Sequence, residues 1–162
     1  MQPEFALALL EGARARGLHS AVATAGLAEP ETVEQVLARA DLILYDVKQV
    51  DLEANRFVVG DDDAVMLSNA RVAARLGVKM IVRVPVIPGF NDQPYQIAAI
   101  GEFARSLGVQ EMHLLPYHGY GVPKYASLGR RYEMSDTAPP TREHLETLCL
   151  SFGDRLLNLE II

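Results

Sequence analysis

Four polar side chains of this sequence lie where apolar runs end or are interrupted, and together they could bind an anionic ligand. Asp46 and Lys48 come directly after an apolar run at residues 42–45, Arg83 interrupts a second run, and His118 follows a third. Charged groups beside buried runs are costly unless they pair with each other or with a ligand. Two cations, a carboxylate and an imidazole can hold a carboxylate or phosphate group. The pattern therefore predicts an anion-binding pocket without identifying a reaction.

Each of these side chains also has a structural explanation, which the sequence leaves open. Asp46 and Lys48 are two residues apart on one face of a strand, and they can form an ion pair at the rim of a sheet. Arg83 can pair with Asp46 or with Glu111. His118 precedes a glycine and can simply make a hydrogen bond within a loop.

A repeated pattern predicts the elements that position these residues. Three segments run from helix-forming residues through a glycine into an apolar run, and they are residues 13–22, 73–82 and 104–113. Each helix is expected to end in a left-handed cap at its glycine, which is Gly17, Gly77 or Gly108, and each apolar run is expected to form a strand. Repeated helix–glycine–strand units predict an α/β fold with a parallel sheet.

The full map alternates helices with strands and contains no linker, so one domain is predicted for residues 1–162. Helices are predicted over about 3–16, 30–38, 64–76, 94–107 and 141–152, and strands over about 19–25, 42–48, 79–86, 111–117 and the apolar end of the chain. The first strand ends in Thr24-Ala25-Gly26. The carboxylates of Asp61–Asp63 favour the start of the third helix. Residues 118–140 are expected to form a long loop. His113 is interpreted as a packed strand histidine.

Length and composition exclude several classes of protein. The chain has 162 residues, a net charge of −6 and 49% hydrophobic residues, which is typical of a folded domain and argues against non-specific nucleic-acid binding. It contains no apolar run of about 20 residues and no signal peptide, so a cytoplasmic protein is expected. Its one cysteine, Cys149, excludes an internal disulfide and a thiolate-bound metal centre supplied by this chain alone.

Four segments carry a specific resemblance. They are LILYDVKQVD (42–51), IVRVPVIPGFND (81–92), LLPYHGYGVPKYASLGRRYEM (114–134) and PPTREHLETL (139–148). In this order and spacing they resemble the pyruvate formate-lyase activating enzymes, which are radical S-adenosylmethionine activases of glycyl-radical enzymes. The resemblance covers nearly the whole chain.

The resemblance implies a fold, a cofactor and a partner. It implies a partial (β/α) barrel that binds S-adenosylmethionine across its strand ends and forms a glycyl radical on a partner such as pyruvate formate-lyase. In the family, a [4Fe-4S] cluster donates the electron that cleaves the sulfonium, and the 5′-deoxyadenosyl radical takes a hydrogen from the partner's glycine. Carried over by position, the cofactor-contacting residues are Thr24, Asp46, Lys48, Arg83 and His118. Independently of the resemblance, the tyrosines around Lys124 in and beside the 118–140 loop are typical of interfaces and suggest part of a partner surface, and the alternative is that they cover the open end of the sheet.

The sequence also departs from the family pattern. The C-x-x-x-C-x-x-C cluster motif and a G-G-E-P segment are absent, and Ala23 occupies the position of a usual acidic residue before Thr24. We therefore expect about four parallel βα strands plus a C-terminal strand, without the first two strands of the family barrel. We also expect that this chain alone assembles no cluster, cleaves no S-adenosylmethionine and binds it weakly or not at all.

Three hypotheses remain open at this point. The first is the C-terminal part of a glycyl-radical enzyme activase, as a truncated or split form that works with a missing N-terminal half. The second is a cluster-free remnant that acts as a binding module. The third is an aldolase-like lyase that uses Lys48 as a Schiff-base amine, and it is disfavoured because neighbouring Asp46 favours a charged lysine.

Overall fold

The structure is a computed structural model that describes residues 2–51, 62–132, 134, 136–152 and 158–162. Its helices are α1 (Pro3–Arg14), α2 (Pro30–Leu37), α3 (Asp62–Ala74), α4 (Pro94–Ser106), α5 (Val122–Ser127) and α6 (Arg142–Phe152), with a 3₁₀ turn at Gly119–Gly121. Its strands are β1 (Ala21–Thr24), β2 (Leu42–Asp46), β3 (Lys79–Val86), β4 (Glu111–Pro116) and β5 (Asn158–Ile161).

The strands form a five-stranded sheet in the order β1-β2-β3-β4-β5, and every neighbouring pair is parallel. When parallel strands follow one another in sequential order, right-handed crossovers place all the connecting helices on one face of the sheet. The wall of a (β/α) barrel has this arrangement. Among the described strands, β1 and β5 lie at opposite edges and the sheet does not close. The predicted α/β fold, a partial barrel of four βα strands and a C-terminal strand, is confirmed.

One face of the sheet packs against the helices and forms the core. Ile43 and Tyr45 of β2 and Val82 and Val84 of β3 are completely buried, and they contact apolar side chains of α2, α3, α4 and α6. The residues that alternate with them point to the other side, which we call the open face because most of its side chains are only partly buried. The candidate site residues Asp46, Lys48 and Arg83 belong to the open face.

The glycines that precede strands end their helices as predicted. Gly17, Gly77 and Gly108 have φ values of 68°, 71° and 75°, which residues with a Cβ rarely adopt. The Gly108 amide donates to the Arg105 carbonyl, and the next amide reaches back to Ala104, which closes the last turn of α4.

Two predictions differ from the structure in detail. Residues 118–140 were expected to lack regular structure, but they contain the 3₁₀ turn and α5, which are too short to show a helical period in sequence. Three of the predicted strands, 19–25, 42–48 and 111–117, extend one or two residues beyond the ends of β1, β2 and β4, whereas 79–86 matches β3. Asp61 and the side chains of 62–63 lie outside the described residues, and the single domain stays a prediction.

Within the described part of the chain, no helix is long and apolar enough to cross a membrane.

Candidate functional site

An ion pair on the open face joins Asp46, at the end of β2, to Arg83 in the middle of β3. Arg83 donates from Nε and from Nη2 to the same oxygen of Asp46, at 2.8 and 2.7 Å. The two side chains are 22% and 25% exposed, so the pair is partly shielded from water. Of the two structural partners expected for Arg83, the structure shows Asp46. Among the described residues, the second oxygen of Asp46 receives no hydrogen bond and remains available for a donor on a ligand.

Lys48 lies next to this pair but is not part of it. The amide of Val47 donates to the Arg83 carbonyl at 2.9 Å, so the strand geometry continues past Asp46 and keeps Lys48 on the same side of the sheet. No carboxylate of the described residues forms an ion pair with Lys48, and the Asp46–Lys48 pair that the sequence allowed is not formed. Since Asp46 and Arg83 neutralise each other, the half-buried ammonium of Lys48 is a positive charge beside them that no carboxylate of the described residues balances.

A buried asparagine fixes the backbone beneath Lys48. Asn91 is completely buried, and its amide donates to the carbonyls of Lys48 (2.7 Å) and Pro85 (2.9 Å). Its oxygen accepts a 2.7 Å bond from the Ile87 amide. Asn91 therefore ties the loop after β3 to the segment after β2, and it uses each polar atom in doing so. No role was predicted for Asn91, although it lies in the 81–92 segment that carries the family resemblance.

Thr24 is placed on the other side of the sheet. It pairs in register with the buried Tyr45, which belongs to the core face, whereas Asp46 and Lys48 belong to the open face. Its hydroxyl accepts a 2.9 Å hydrogen bond from the Gly26 amide, which closes the turn after β1. The structure therefore brings Asp46, Lys48 and Arg83 together and leaves Thr24 as a residue that shapes the neighbouring loop.

That loop is shaped by two further contacts with the core. Gly26 has φ 72°, and a Cβ added there would overlap the Tyr45 hydroxyl. That hydroxyl donates a 2.7 Å hydrogen bond to the Met66 carbonyl, and burial raises the pKa of the Tyr45 phenol. Asn69 of α3, also completely buried, donates to the carbonyls of Gly26 and Ala28 at 2.7 and 2.8 Å. A second buried asparagine thus fixes a second strand-end loop.

His118 follows β4 and is exposed to solvent. Its ring stacks on that of Tyr120 at 4.3 Å between centroids, and no ion pair of His118 is formed within the described residues. It lies at the same end of the sheet as Asp46 and Lys48 because both β2 and β4 are parallel and end there. No described contact joins His118 to those two residues.

The open face carries a second charged cluster nearer the start of the strands. Lys79 contacts Glu111 at 2.9 Å, and Nε2 of His113 lies 2.9 Å from Glu111 and 3.9 Å from Glu160. The hydrogen bond from Lys79, and then His113, hold the pKa of the Glu111 carboxyl below its usual range. His113 is partnered, in agreement with its interpretation as a structural residue. In register, the pairings Asp46–Arg83, Arg83–His113 and His113–Glu160 form one row across the sheet.

The side chains at this edge offer charged and hydrogen-bonding groups to a ligand. A cavity of about 10 Å³, enough for about one water molecule, lies between the end of β2 and α3, where Asp46 and Lys48 line it together with Met66 and Leu67. In the described residues, no group of three or more His, Cys, Asp or Glu side chains could hold a metal ion. Cys149 lies on α6, and burial, with the nearby Glu146 carboxylate, raises the pKa of its thiol. A single protonated thiol does not fit an iron–sulfur cluster, which needs several thiolates.

Comparison with known proteins places the chain among activating enzymes. It is 31% identical over 160 residues to the trans-4-hydroxy-L-proline dehydratase activating enzyme of Clostridioides difficile, which covers 98% of this chain and 53% of that protein. It is 42% identical over 137 residues to the isethionate sulfite-lyase activating enzyme of Oleidesulfovibrio alaskensis, which covers 83% of this chain and 44% of that protein. The chain thus spans about half the length of these curated relatives. No protein-family model matches it.

A solved structure of similar extent supports the same assignment. The crystal structure of a domain of pyruvate-formate lyase-activating enzyme from Bacteroides vulgatus superposes with a TM-score of 0.78 at 27% identity, covering 99% of this chain and 91% of that one. This domain and the two curated relatives agree with the resemblance carried by the four motifs.

Proposed function

This chain is a homologue of the activating enzymes of glycyl-radical enzymes, and from that premise we propose that it is the part of such an enzyme that holds the methionyl end of S-adenosylmethionine. The observation that supports the proposal is the arrangement of Lys48 beside the Asp46–Arg83 pair on the open face. These three residues stand in the motifs that carry the resemblance.

The polar atoms present fit the amino-acid end of this cofactor. The ammonium of Lys48 has no described counter-charge and can pair with the carboxylate of the ligand. The second oxygen of Asp46 is a free acceptor and can take a hydrogen bond from the ligand's amino group. His118 lies exposed after β4, where an imidazole can meet the ribose or the adenine edge. When bound, the cofactor supplies the adenosyl group from which enzymes of this family make their radical.

The cluster has no ligand set in this chain. With one cysteine in 162 residues, the chain cannot supply the three thiolates of the family motif. We propose that these ligands come from another segment or another chain, and that the partner of the assembled enzyme is a glycyl-radical enzyme. Reconstitution of this chain alone with iron and sulfide is expected to give no cluster absorbance and no cleavage of S-adenosylmethionine. Cleavage by the chain alone would contradict this assignment.

The binding proposal is tested by a pair of ligands in a ¹H–¹⁵N NMR titration. S-adenosylmethionine carries the aminocarboxyl end, whereas 5′-methylthioadenosine keeps the adenosine and lacks that end. We expect weak binding of S-adenosylmethionine with shifts at Asp46, Lys48 and Arg83, and smaller shifts with 5′-methylthioadenosine. Lys48→Gln is expected to remove the difference between the ligands, and the exposed Arg75→Gln is the control. Equal responses to both ligands in the wild-type chain would refute the assignment of Lys48.

A lyase that uses Lys48 as a Schiff-base amine is less well supported. Such a lysine is normally made nucleophilic by an apolar pocket or by another cation. Lys48 is only half-buried, and its near neighbours form a carboxylate–guanidinium pair. Borohydride trapping of a carbonyl substrate on Lys48 would reverse this preference.

A further inference from the structure

We propose that residues 117–132, here called the tyrosine segment, form a docking surface for an acidic and partly apolar stretch of a partner protein. The proposal rests on the proposed function for the class of that partner, a glycyl-radical enzyme. It goes beyond that function in naming the surface and the chemistry of the partner's contact segment.

The charge of the tyrosine segment is opposite to that of the whole chain. The segment contains Lys124, Arg130 and Arg131 and no acidic residue, whereas the chain carries −6. All three cations are exposed, and none forms an ion pair with a carboxylate of the described residues. A local positive surface on an acidic protein attracts an acidic segment of a partner.

Apolar side chains lie among these cations in solvent. Tyr120 is 79% exposed, Leu128 is 68% exposed and Tyr125 is 40% exposed. Helix α5 contains no buried residue, so the core does not explain why these side chains are apolar. Tyrosine and arginine are the residue types that protein interfaces favour, and apolar surface held in water is typical of a binding site.

The segment is nevertheless held in one conformation. Helix α5 ends at Ser127, Gly129 follows with a φ of 63°, and the Arg130 amide donates to the Tyr125 carbonyl at 2.9 Å. The hydroxyl of buried Tyr117 lies 3.1 Å from the hydroxyl of Tyr132, whose ring packs edge-on against Tyr125 at 4.8 Å. A surface fixed in this way loses little conformational entropy when a partner binds.

The position of the segment connects it to the candidate site. It begins directly after β4, at the end of the sheet where Asp46 and Lys48 lie, and Tyr120 stacks on His118 at 4.3 Å. A partner chain held on this surface is therefore presented to the edge at which the cofactor is proposed to bind. A polyanionic nucleic acid is the less suitable occupant, because the chain's net charge of −6 repels its many phosphates more strongly than the few carboxylates of a short peptide segment.

The test measures peptide binding by fluorescence anisotropy, without S-adenosylmethionine. The probe is a labelled peptide of about 12 residues that alternates Asp or Glu with Leu or Phe, long enough to span about 40 Å when extended. We expect it to bind about tenfold more tightly than the same peptide with Asn and Gln in place of the acids, and to weaken as salt is raised. The triple variant K124E/R130E/R131E is expected to lose this binding, and Y120A with L128A is expected to weaken both peptides.

The control reverses three exposed arginines elsewhere, R16E/R75E/R142E, which changes the net charge by the same amount. It is expected to retain most of the binding, and far-UV circular dichroism checks that both triple variants are folded. The proposal would be overturned if the chain bound the Asn/Gln peptide as tightly as the acidic peptide, or if the control variant lost as much binding as K124E/R130E/R131E. It would also be overturned if the chain bound oligothymidylate, the nucleic-acid probe, more tightly than the acidic peptide. Because this assay contains no cofactor, a chain that binds the peptide but shows no NMR response to S-adenosylmethionine would refute the proposed function alone.

Discussion

The side-chain amide of Asn91 donates a 2.7 Å hydrogen bond to the backbone carbonyl of Lys48, across 43 residues of sequence. The bond joins a completely buried side chain to the backbone of the residue whose charge defines the candidate site. Position at this edge is therefore set by the loop after β3 as well as by β2. Lys48 is only half-buried on the open face, and the hydrogen bond from the buried Asn91 fixes the position of its backbone.

Replacement of Asn91 by Leu is expected to lower the free energy of unfolding by about 3 kcal/mol. The substitution leaves the amide of Ile87 and the carbonyls of Lys48 and Pro85 without their buried partner. Urea denaturation measures the loss. The NMR signal of Lys48 is expected to shift and broaden, because its backbone is no longer fixed.

Asn69→Leu is the matched control for this variant. Asn69 is equally buried and also donates to two loop carbonyls, but its own oxygen has no hydrogen-bond partner in the structure. Its replacement therefore removes one bond fewer, and it also removes an unsatisfied polar atom. We expect a smaller loss of stability and an unchanged Lys48 signal. A larger loss at position 69 than at position 91 would contradict this explanation.

Local sequence features predicted the parts of the fold that depend on local chemistry. The helix ends at Gly17, Gly77 and Gly108 follow from the rare backbone conformation that glycine tolerates, which does not depend on the rest of the molecule. Asp46 ends one apolar run and Arg83 interrupts the next, and the two residues meet because neighbouring parallel strands bring them together in register.

Features that depend on register or on distant packing could not be predicted in the same way. Thr24 and Asp46 both stand at strand ends, but a shift of one residue decides the face to which each belongs, and composition does not show that register. The roles of Asn69 and Asn91 depend on backbone carbonyls 41 to 43 residues away. The short helix α5 has too few residues for a periodic pattern.

Gly26→Ala is expected to destabilise the protein more than Gly17→Ala, although both glycines have similar φ values of 72° and 68°. At Gly17 the added methyl meets open space, so the cost is the left-handed backbone alone, about 1 kcal/mol. At Gly26 it also overlaps the Tyr45 hydroxyl. Thermal unfolding of both variants measures the difference, and Tyr45→Phe in the Gly26→Ala background is expected to restore part of the loss. Equal losses at the two glycines would show that the Tyr45 contact is unimportant.

Arg83→Met is expected to cost about 2 kcal/mol of stability, because it leaves the Asp46 carboxylate largely buried without its counter-charge. The double variant Arg83→Met with Asp46→Leu is expected to be more stable than Arg83→Met alone, since no unpaired charge then remains. Chemical denaturation of the two single variants and the double variant gives the coupling energy. Strictly additive losses would contradict a direct interaction between the two side chains.

Cys149 is expected to react slowly with iodoacetamide at neutral pH. Burial, and then the Glu146 carboxylate, raise the pKa of its thiol, so little of the reactive thiolate is present. The rate is expected to rise with pH and to level off at a higher pH than the rate of free glutathione does. Mass spectrometry of the intact chain measures the rate. In urea, Cys149 is expected to react as quickly as glutathione, and a fast reaction in the folded protein would contradict the burial effect.

The stability that Glu111 contributes is expected to disappear on acidification. Lys79, and then His113, lower the pKa of its carboxyl in the folded chain, so the folded state binds this proton less readily than the unfolded state. The contribution is therefore fully present above the unfolded pKa of about 4.3 and is lost as pH falls through the lower folded pKa. Urea denaturation from pH 7 to pH 3 is expected to show Glu111→Gln less stable than wild type near neutrality and equal to it at the acidic end. Glu146→Gln is the control, because its ion pair with Arg142 is mostly exposed and screened by water. A wild-type advantage over Glu111→Gln that persists unchanged at pH 3 would show that the ionised carboxylate is not its source.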